Sequence, residues 1–364
     1  MNTAFSHALR VLLCPTCGQP VNGPTGAGEA RCGECGAAFS LGERRAQEAS
    51  SALEEPERSS KLAEQDGSPL VPTAVVKELV VDGELPEDRV SDAMALWQST
   101  RQQLRDGESS DELERRFYFL TRLLYERRIE KDDALGMRAI LETAIEVSAS
   151  SRYRQTFRCM LGCEAARGGD ATSAEEWLAP CDARSTDIHA DSVYRYAAAY
   201  VATHKRQWAK VIDVLGASHE DVPMAAAFDA TCSVLRANAH ERRQDVPAAI
   251  DELTAAMKRL PGGVDDVDKV LRTAGTLKLC RRSYGTARKE LSGDGGGGSV
   301  APAPTSVGLT QILPWTVLSL ACFGIAVGLP AGVAVGGVRA DVLLIALGIL
   351  LAVPIGVVLR RGRS

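Results

Sequence analysis

Between residues 73 and 291 apolar positions recur at helical spacing, and one short pattern within that stretch returns at a fixed interval. Ala134, Met137 and Leu141 form the first copy; Ala171/Ala174/Leu178, Trp208/Val211/Leu215, Val246/Ala249/Leu253 and Tyr284/Ala287/Leu291 follow at intervals of 37 or 38 residues. Positions i, i+3 and i+7 share one face of a helix, so each copy predicts an amphipathic helix with a leucine at its far end. Twelve residues before the central position of the last four copies lies a small residue: Gly162, Ala199, Ala237 and Gly275. A preceding helix packed closely at that small residue makes a helix-turn-helix unit. The first copy has Tyr125 there instead. Pro180 and Pro261 fall just after two of the second helices, where a stop is expected. Trp97, Thr100 and Leu104 mark a degenerate earlier unit. A bundle of unrelated helices is the simpler alternative, since leucines at this spacing are common in any α-protein.

The flanks read differently. Residues 46–72 hold six acidic groups against Arg58 and Lys61, and without apolar periodicity they read as an acidic, disordered linker. Residues 292–311 open with SGDGGGGSVAPAPTS, whose glycine run and Ala-Pro alternation exclude a helix and predict a second linker. Beyond it the pattern becomes almost wholly apolar. No charge occurs from Ile312 to Val338, nor from Val342 to Leu359, and each stretch exceeds the roughly 17 residues that a helix needs to cross a bilayer core. Residues 312–359 are therefore expected to form a transmembrane hairpin in contact with lipid, with 360–364 as a basic tail. Trp315 suits the headgroup boundary. Arg360, Arg361 and Arg363 place the C-terminus, and with two spans the N-terminus, on the cytoplasmic side of a bacterial inner membrane. Gly324, Gly328, Gly332 and Gly336, like Gly348, Ala352 and Gly356, line helix faces that permit close packing within the hairpin or a homo-oligomer. No secretory signal is expected at the start, where Arg10 interrupts the apolar run.

Composition adds limits. The 364 residues carry a net charge of -5, with mean hydropathy -0.07, a balance unlike that of chains built to coat nucleic acid. Ten cysteines are too few to staple a chain of this length, so their spacing matters more than their number.

Four of them are paired. Cys14-Pro-Thr-Cys17-Gly18 and Cys32-Gly-Glu-Cys35-Gly36 are two CxxCG knuckles separated by fourteen residues. Each is a tight turn presenting two thiolates to one ion, and the following glycine takes the positive φ such a turn needs. Together Cys14, Cys17, Cys32 and Cys35 offer the four sulfurs of a structural Zn2+ site, one ion per chain, with no position left open for catalysis. Val11-Leu12-Leu13 and Ala37-Ala38-Phe39 read as short flanking strands. A redox dithiol at CPTC would need a βαβ setting that is absent, and would leave the second pair without a role.

Residues 1–45, on these knuckles, resemble the N-terminal zinc-ribbon modules of many bacterial membrane-anchored proteins, a resemblance that implies fold and metal but little about a partner. The second knuckle lacks the proline often found after its first cysteine. Residues 110–291 look like a tetratricopeptide-type array, which has the same small/small/large arrangement across paired helices, although the period exceeds the usual 34 or so. The expected architecture is thus mainly α: a tetratricopeptide-like solenoid carrying a small β zinc ribbon and two C-terminal transmembrane helices.

Candidate chemistry beyond the knuckles is sparse. His7, His189, His204, His219 and His240 form no ligand pair or triad; Cys159 and Cys163, at i and i+4, read as packing residues, and Cys181, Cys232, Cys280 and Cys322 stand singly. No P-loop, no GxSxG and no GxGxxG after a strand occurs, so no enzyme is expected. Arg152, Arg154, Arg158 and Arg195 beside Tyr153, Tyr194 and Tyr196 could form a face that accepts an acidic or C-terminal peptide, but a solvated basic surface is the favoured reading. The ribbon has too few basic groups for phosphate contact. The expected function is a membrane-anchored adaptor that binds a protein or peptide through its repeats. The alternative is a tethered regulator whose ribbon contacts nucleic acid or the transcription machinery.

Overall fold

The computed structural model describes residues 4–47, 53–81, 83–273 and 279–293. Two antiparallel hairpins come first: β1 (Val11–Leu13) with β2 (Pro20–Asn22), Leu12 opposite Val21, and β3 (Gly28–Arg31) with β4 (Ala38–Leu41), Ala30 opposite Phe39. The rest is helical. In order come α1 (Glu55–Ala63), α2 (Ala74–Leu79), α3 (Val90–Arg105), α4 (Asp111–Glu130), α5 (Ala134–Val147) and α6 (Ser151–Arg167). They are followed by α7 (Ala171–Leu178), α8 (Ile188–His204), α9 (Trp208–Leu215), α10 (Ala226–Arg242), α11 (Val246–Arg259), α12 (Val264–Thr273) and α13 (Ser283–Gly293).

The repeated pattern falls on α5, α7, α9, α11 and α13. Its first residue opens each of the first four of these helices and is the second residue of α13. A common turn explains why the helices start there. The N–H groups of Asp133, Asp170, Gln207 and Asp245 bond the carbonyls of Arg128, Ala165, Ala202 and His240, five residues back in each case, at 2.8–2.9 Å. The residue before each, Asp132, Gly169, Arg206 or Gln244, has φ between 52° and 81°. This is a Schellman stop that closes one helix. The aspartates then cap the next one: the side chains of Asp133, Asp170 and Asp245 accept from the N–H groups of Gly136, Ser173 and Ala248, satisfying donors that a helix start leaves orphaned. Four such turns at intervals of 37, 37 and 38 residues repeat the backbone as well as the sequence.

Packing follows the small residues. A methyl group added at Gly162 on α6 would stand 3.2 Å from the Leu178 side chain of α7 and 3.3 Å from the Ala174 carbonyl, so glycine sets how closely those helices approach. Ala199 and Ala237 occupy the matching places on α8 and α10 and are buried, as are Met137, Ala174, Val211, Ala249 and Ala287 on the second helices. Tyr125, the exception on α4, is buried with its hydroxyl donating to the Glu164 carboxylate of α6. Contacts pass along the chain: α6 packs on α7 and α8, α8 on α9 and α10, α10 on α11 and α12. The degenerate unit on α3 buries Trp97, Thr100 and Leu104, with Trp97 stacked on Phe117 and its indole N–H donating to Thr121 at 2.8 Å.

The acidic stretch 46–72 departs from expectation. Rather than being disordered throughout, it contains α1, which straps across the starts of α8 and α10. Arg58 is buried and donates to the buried Asp191 carboxylate at 2.7 Å and to Glu55 at 2.6 Å. Gln65 bonds Thr186 and Ile188, and the Gly67 carbonyl accepts from Ala226. Polar partners more than a hundred residues away hold the segment, which apolar periodicity does not register.

Among the described residues no helix is long and apolar enough to cross a membrane. The apolar stretches of 312–359, the linker ahead of them from residue 294, and Gly275 lie outside the described residues.

Candidate metal centre

Each hairpin is closed by one knuckle, and the two closures repeat each other. The Cys14 N–H bonds the Gln19 carbonyl at 2.8 Å and the Gly18 N–H returns to the Cys14 carbonyl at 3.0 Å; Cys32 with Ala37, and Gly36 with Cys32, do the same at the same distances. Gly18 and Gly36 sit at φ 72° and 73°, a conformation that costs a residue with a side chain about 1–2 kcal/mol. The turns bring four sulfurs together. Cys14 Sγ lies 3.6 Å from Cys35 Sγ and Cys17 Sγ 3.5 Å from Cys32 Sγ, and all four lie within 4.8 Å of one another. Neighbouring sulfurs around a tetrahedral ion bound at about 2.3 Å are about 3.8 Å apart, so the cluster has the dimensions of a site for one metal ion.

In both knuckles the first cysteine is buried and the second exposed. Burial acts to raise the Cys14 thiol, but the N–H groups of Cys17 and Thr16 and the neighbouring Cys35 and Cys17 bring it down to about 6. Cys17 moves the other way: the Gln19 N–H would lower it, yet burial and the crowding sulfurs of Cys32, Cys35 and Cys14 push it up to about 12. Sulfurs this close cannot all carry charge unless a cation sits among them.

The site is fastened to the helices through β1. On the edge turned away from β2, the Val11 N–H donates to Glu142 and the Leu13 N–H to Thr143, both on α5 and both at 2.9 Å. The Leu13 carbonyl accepts from Arg101 of α3 at 3.2 Å. Helix side chains thus supply the partners that a third strand would give to an exposed edge. Buried Arg10 ties both hairpins to the array: it donates to the Gly26 carbonyl at 2.9 Å, the Gly42 carbonyl at 2.7 Å and the Glu146 carboxylate at 2.9 Å. Ahead of β1, buried Arg138 of α5 donates to the carbonyls of Ala4, Ser6 and Leu9, and the Trp177 indole to that of Phe5. A cavity of about 440 Å³ opens between this N-terminal arm and α5–α7; Arg44, Arg45 and Arg158 line it, balanced by Glu142, Glu146 and Glu176. In its wall stands His7, which burial and the nearby Arg44, Arg138 and Arg158 lower to about 4, so it is neutral at pH 7.

The other sequence candidates do not assemble into a face. Arg154 and Arg158 are buried, Arg154 bonding the carbonyls of Ser148 and Ala149 and Arg158 the Gln47 side-chain oxygen and the Arg45 carbonyl; Tyr153 and Tyr196 are buried as well. Arg152 pairs with Asp187 and Arg195 with Asp191, each at 2.7 Å. These arginines hold helix ends and loops in place, so the expected basic surface is absent at these positions. Cys159, Cys163, Cys181, Cys232 and Cys280 are buried packing residues, and Cys322 lies outside the described residues. What sequence reasoning missed is the fastening set, Arg10, Arg101, Arg138, Glu142 and Thr143. Its only advance signal is charge inside otherwise apolar helical runs such as GMRAILETAIE.

No protein-family model, curated protein or solved structure matches the chain.

Proposed function

We propose that the chain is an adaptor in which a Zn2+-stabilised ribbon and a tetratricopeptide-like helical array act as one recognition body, held at a bacterial inner membrane by residues 312–359, with both termini cytoplasmic. The observation that carries this reading is the fastening of β1 to α5. Knuckle and array present a shared surface, and four sulfurs on one ion leave no coordination position for chemistry. Recurrent turns and small-residue contacts support the solenoid reading. The apolar lengths of 312–359 support the anchor. The partner is a protein or peptide. Nucleic acid is disfavoured because two of the four arginines of residues 1–45, Arg10 and Arg44, point into the helical body, leaving Arg31 and Arg45 exposed; phosphate contact needs more. The test is cross-linking of the full chain in membranes: carbonate-resistant fractionation and a discrete cross-linked protein are expected, and a carbonate-soluble chain without one refutes the reading.

A further inference from the structure

Arg101, on α3, is a buried arginine beside the first knuckle. It is 6% exposed, with its guanidinium 5.6 Å from the Trp97 ring centre. It donates to the Leu13 carbonyl at 3.2 Å and to the Gln98 side chain at 3.3 Å, and its Nε has no partner. Buried Arg10, Arg58, Arg138 and Arg236 each reach a carboxylate, whereas buried Arg158 is met by the Gln47 side-chain oxygen and the Arg45 carbonyl. Among the described residues Arg101 reaches none. A buried cation without an opposite charge is costly, by several kcal/mol per ion in the general case.

The charge it lacks lies next along the chain. Leu13, its hydrogen-bond acceptor, immediately precedes Cys14, so the guanidinium sits beside the backbone that carries the first ligand. Gln98 completes the pad: its Nε2 would stand 3.4 Å from a methyl group added at Gly18, so α3 lies directly under the first knuckle. Four thiolates around one divalent ion carry a net charge of about −2; water meets it at the exposed Cys17 and Cys35, while on the buried side Val11, Leu13 and Val21 offer no charge to balance it.

We propose that Arg101 is the counter-ion of the metal centre, a positioning residue by which the helical array sets the affinity of the ribbon for its ion. This rests on the reading of Cys14, Cys17, Cys32 and Cys35 as a Zn2+ site. The coupling runs both ways, since an empty site leaves Arg101 buried without compensation and loosens the ribbon from α3.

The experiment uses the full chain, with zinc affinity measured by competition against a chromophoric chelator and with the pH of half-release of zinc on acidification. Arg101→Gln and Arg101→Met are expected to weaken zinc binding about 10- to 100-fold, the range typical of groups that support metal ligands from behind, and to raise the half-release pH, because thiolates without a counter-ion protonate more readily. Arg101→Lys, which keeps the charge, is expected to restore most of the affinity. Co2+ substitution checks that the four-sulfur geometry persists in each variant. Wild-type affinity in the neutral variants overturns the proposal, and so does an Arg101→Lys chain as weak as Arg101→Gln. If the neutral variants do not fold, Arg101→Lys decides alone: a half-release pH at the wild-type value supports the counter-ion role, and one clearly above it overturns it. A wild-type chain that binds no zinc instead overturns the metal reading itself.

Discussion

Glu142 is the side chain whose loss should do most to separate ribbon from helices. It is buried on α5, and its two oxygens accept from Arg138 at 2.6 Å, from Arg44 at 3.5 Å and from the Val11 N–H at 2.9 Å. Glu142→Ala strands the fully buried Arg138 and leaves a buried β1 donor without an acceptor. Removing one member of a buried pair costs about 3–5 kcal/mol, and an orphaned amide adds about 1–3 kcal/mol. Arg138 keeps three carbonyl acceptors, which argues for the lower part of the combined range, about 4–5 kcal/mol in total. Glu142→Gln retains the shape and one acceptor oxygen and should cost about 1–2 kcal/mol. Arg138→Met added to Glu142→Ala should recover part of the loss, because an apolar replacement of both partners removes the stranded charge. The assay is urea unfolding at fixed zinc, followed by tryptophan fluorescence, to which Trp177, whose indole bonds the N-terminal arm at Phe5, contributes alongside the three other tryptophans. Burial raises the Glu142 carboxyl, while Arg138, Arg44 and the Val11 N–H favour its charged form. A Glu142→Ala cost below about 1 kcal/mol would show that charge at this position does not hold the ribbon, and the reasoning would fail.

Further outcomes follow from other parts of the fold. Gly36→Ala, at φ 73° with open space around the added methyl, should cost about 1–2 kcal/mol of ribbon stability through backbone strain alone, read as a lower melting temperature at fixed zinc; an unchanged one refutes it. Asp191→Ala should release α1 rather than unfold the array, because Arg58 can regain water by undocking; amide exchange should rise over 55–67 and stay low over α10, and uniform exchange would contradict this. For pH, His7 and His204 are both lowered to about 4, chiefly by burial. Their unfolded forms bind protons from about 6.5 downward, so the stability they contribute is present above that pH and is lost as pH falls toward 4. His7→Gln with His204→Gln should flatten stability between pH 6.5 and 5, and a wild-type slope in the double variant refutes it.

Legibility followed the type of interaction. The helices of the repeat could be read because leucine and small residues at i, i+3 and i+7 act locally, and the four sulfurs because CxxCG closes its own turn. The Schellman stops were less visible, since glycine takes the left-handed position at residue 169 but Asp132, Arg206 and Gln244 do so elsewhere. Least legible were the polar contacts of high sequence separation. Nothing around Arg58 announces Asp191, and Arg152, Arg154 and Arg158 look like surface charge until the fold supplies Asp187 and the carbonyls of 45, 148 and 149. An arginine in sequence carries no mark of whether water or a carbonyl will solvate it.

The β1 fastening also bears on the order of events at the ribosome. The knuckles are synthesised first and close on contacts within residues 14–37, yet the acceptors for Val11 and Leu13 come some 130 residues later. At about 5–20 residues per second that delay is about 7–26 s. During it the knuckles have no array beneath them, and the edge of β1 stays open to any strand that meets it first. Until α3 and α5 are made, the β1 edge is thus the point at which misassembly would begin.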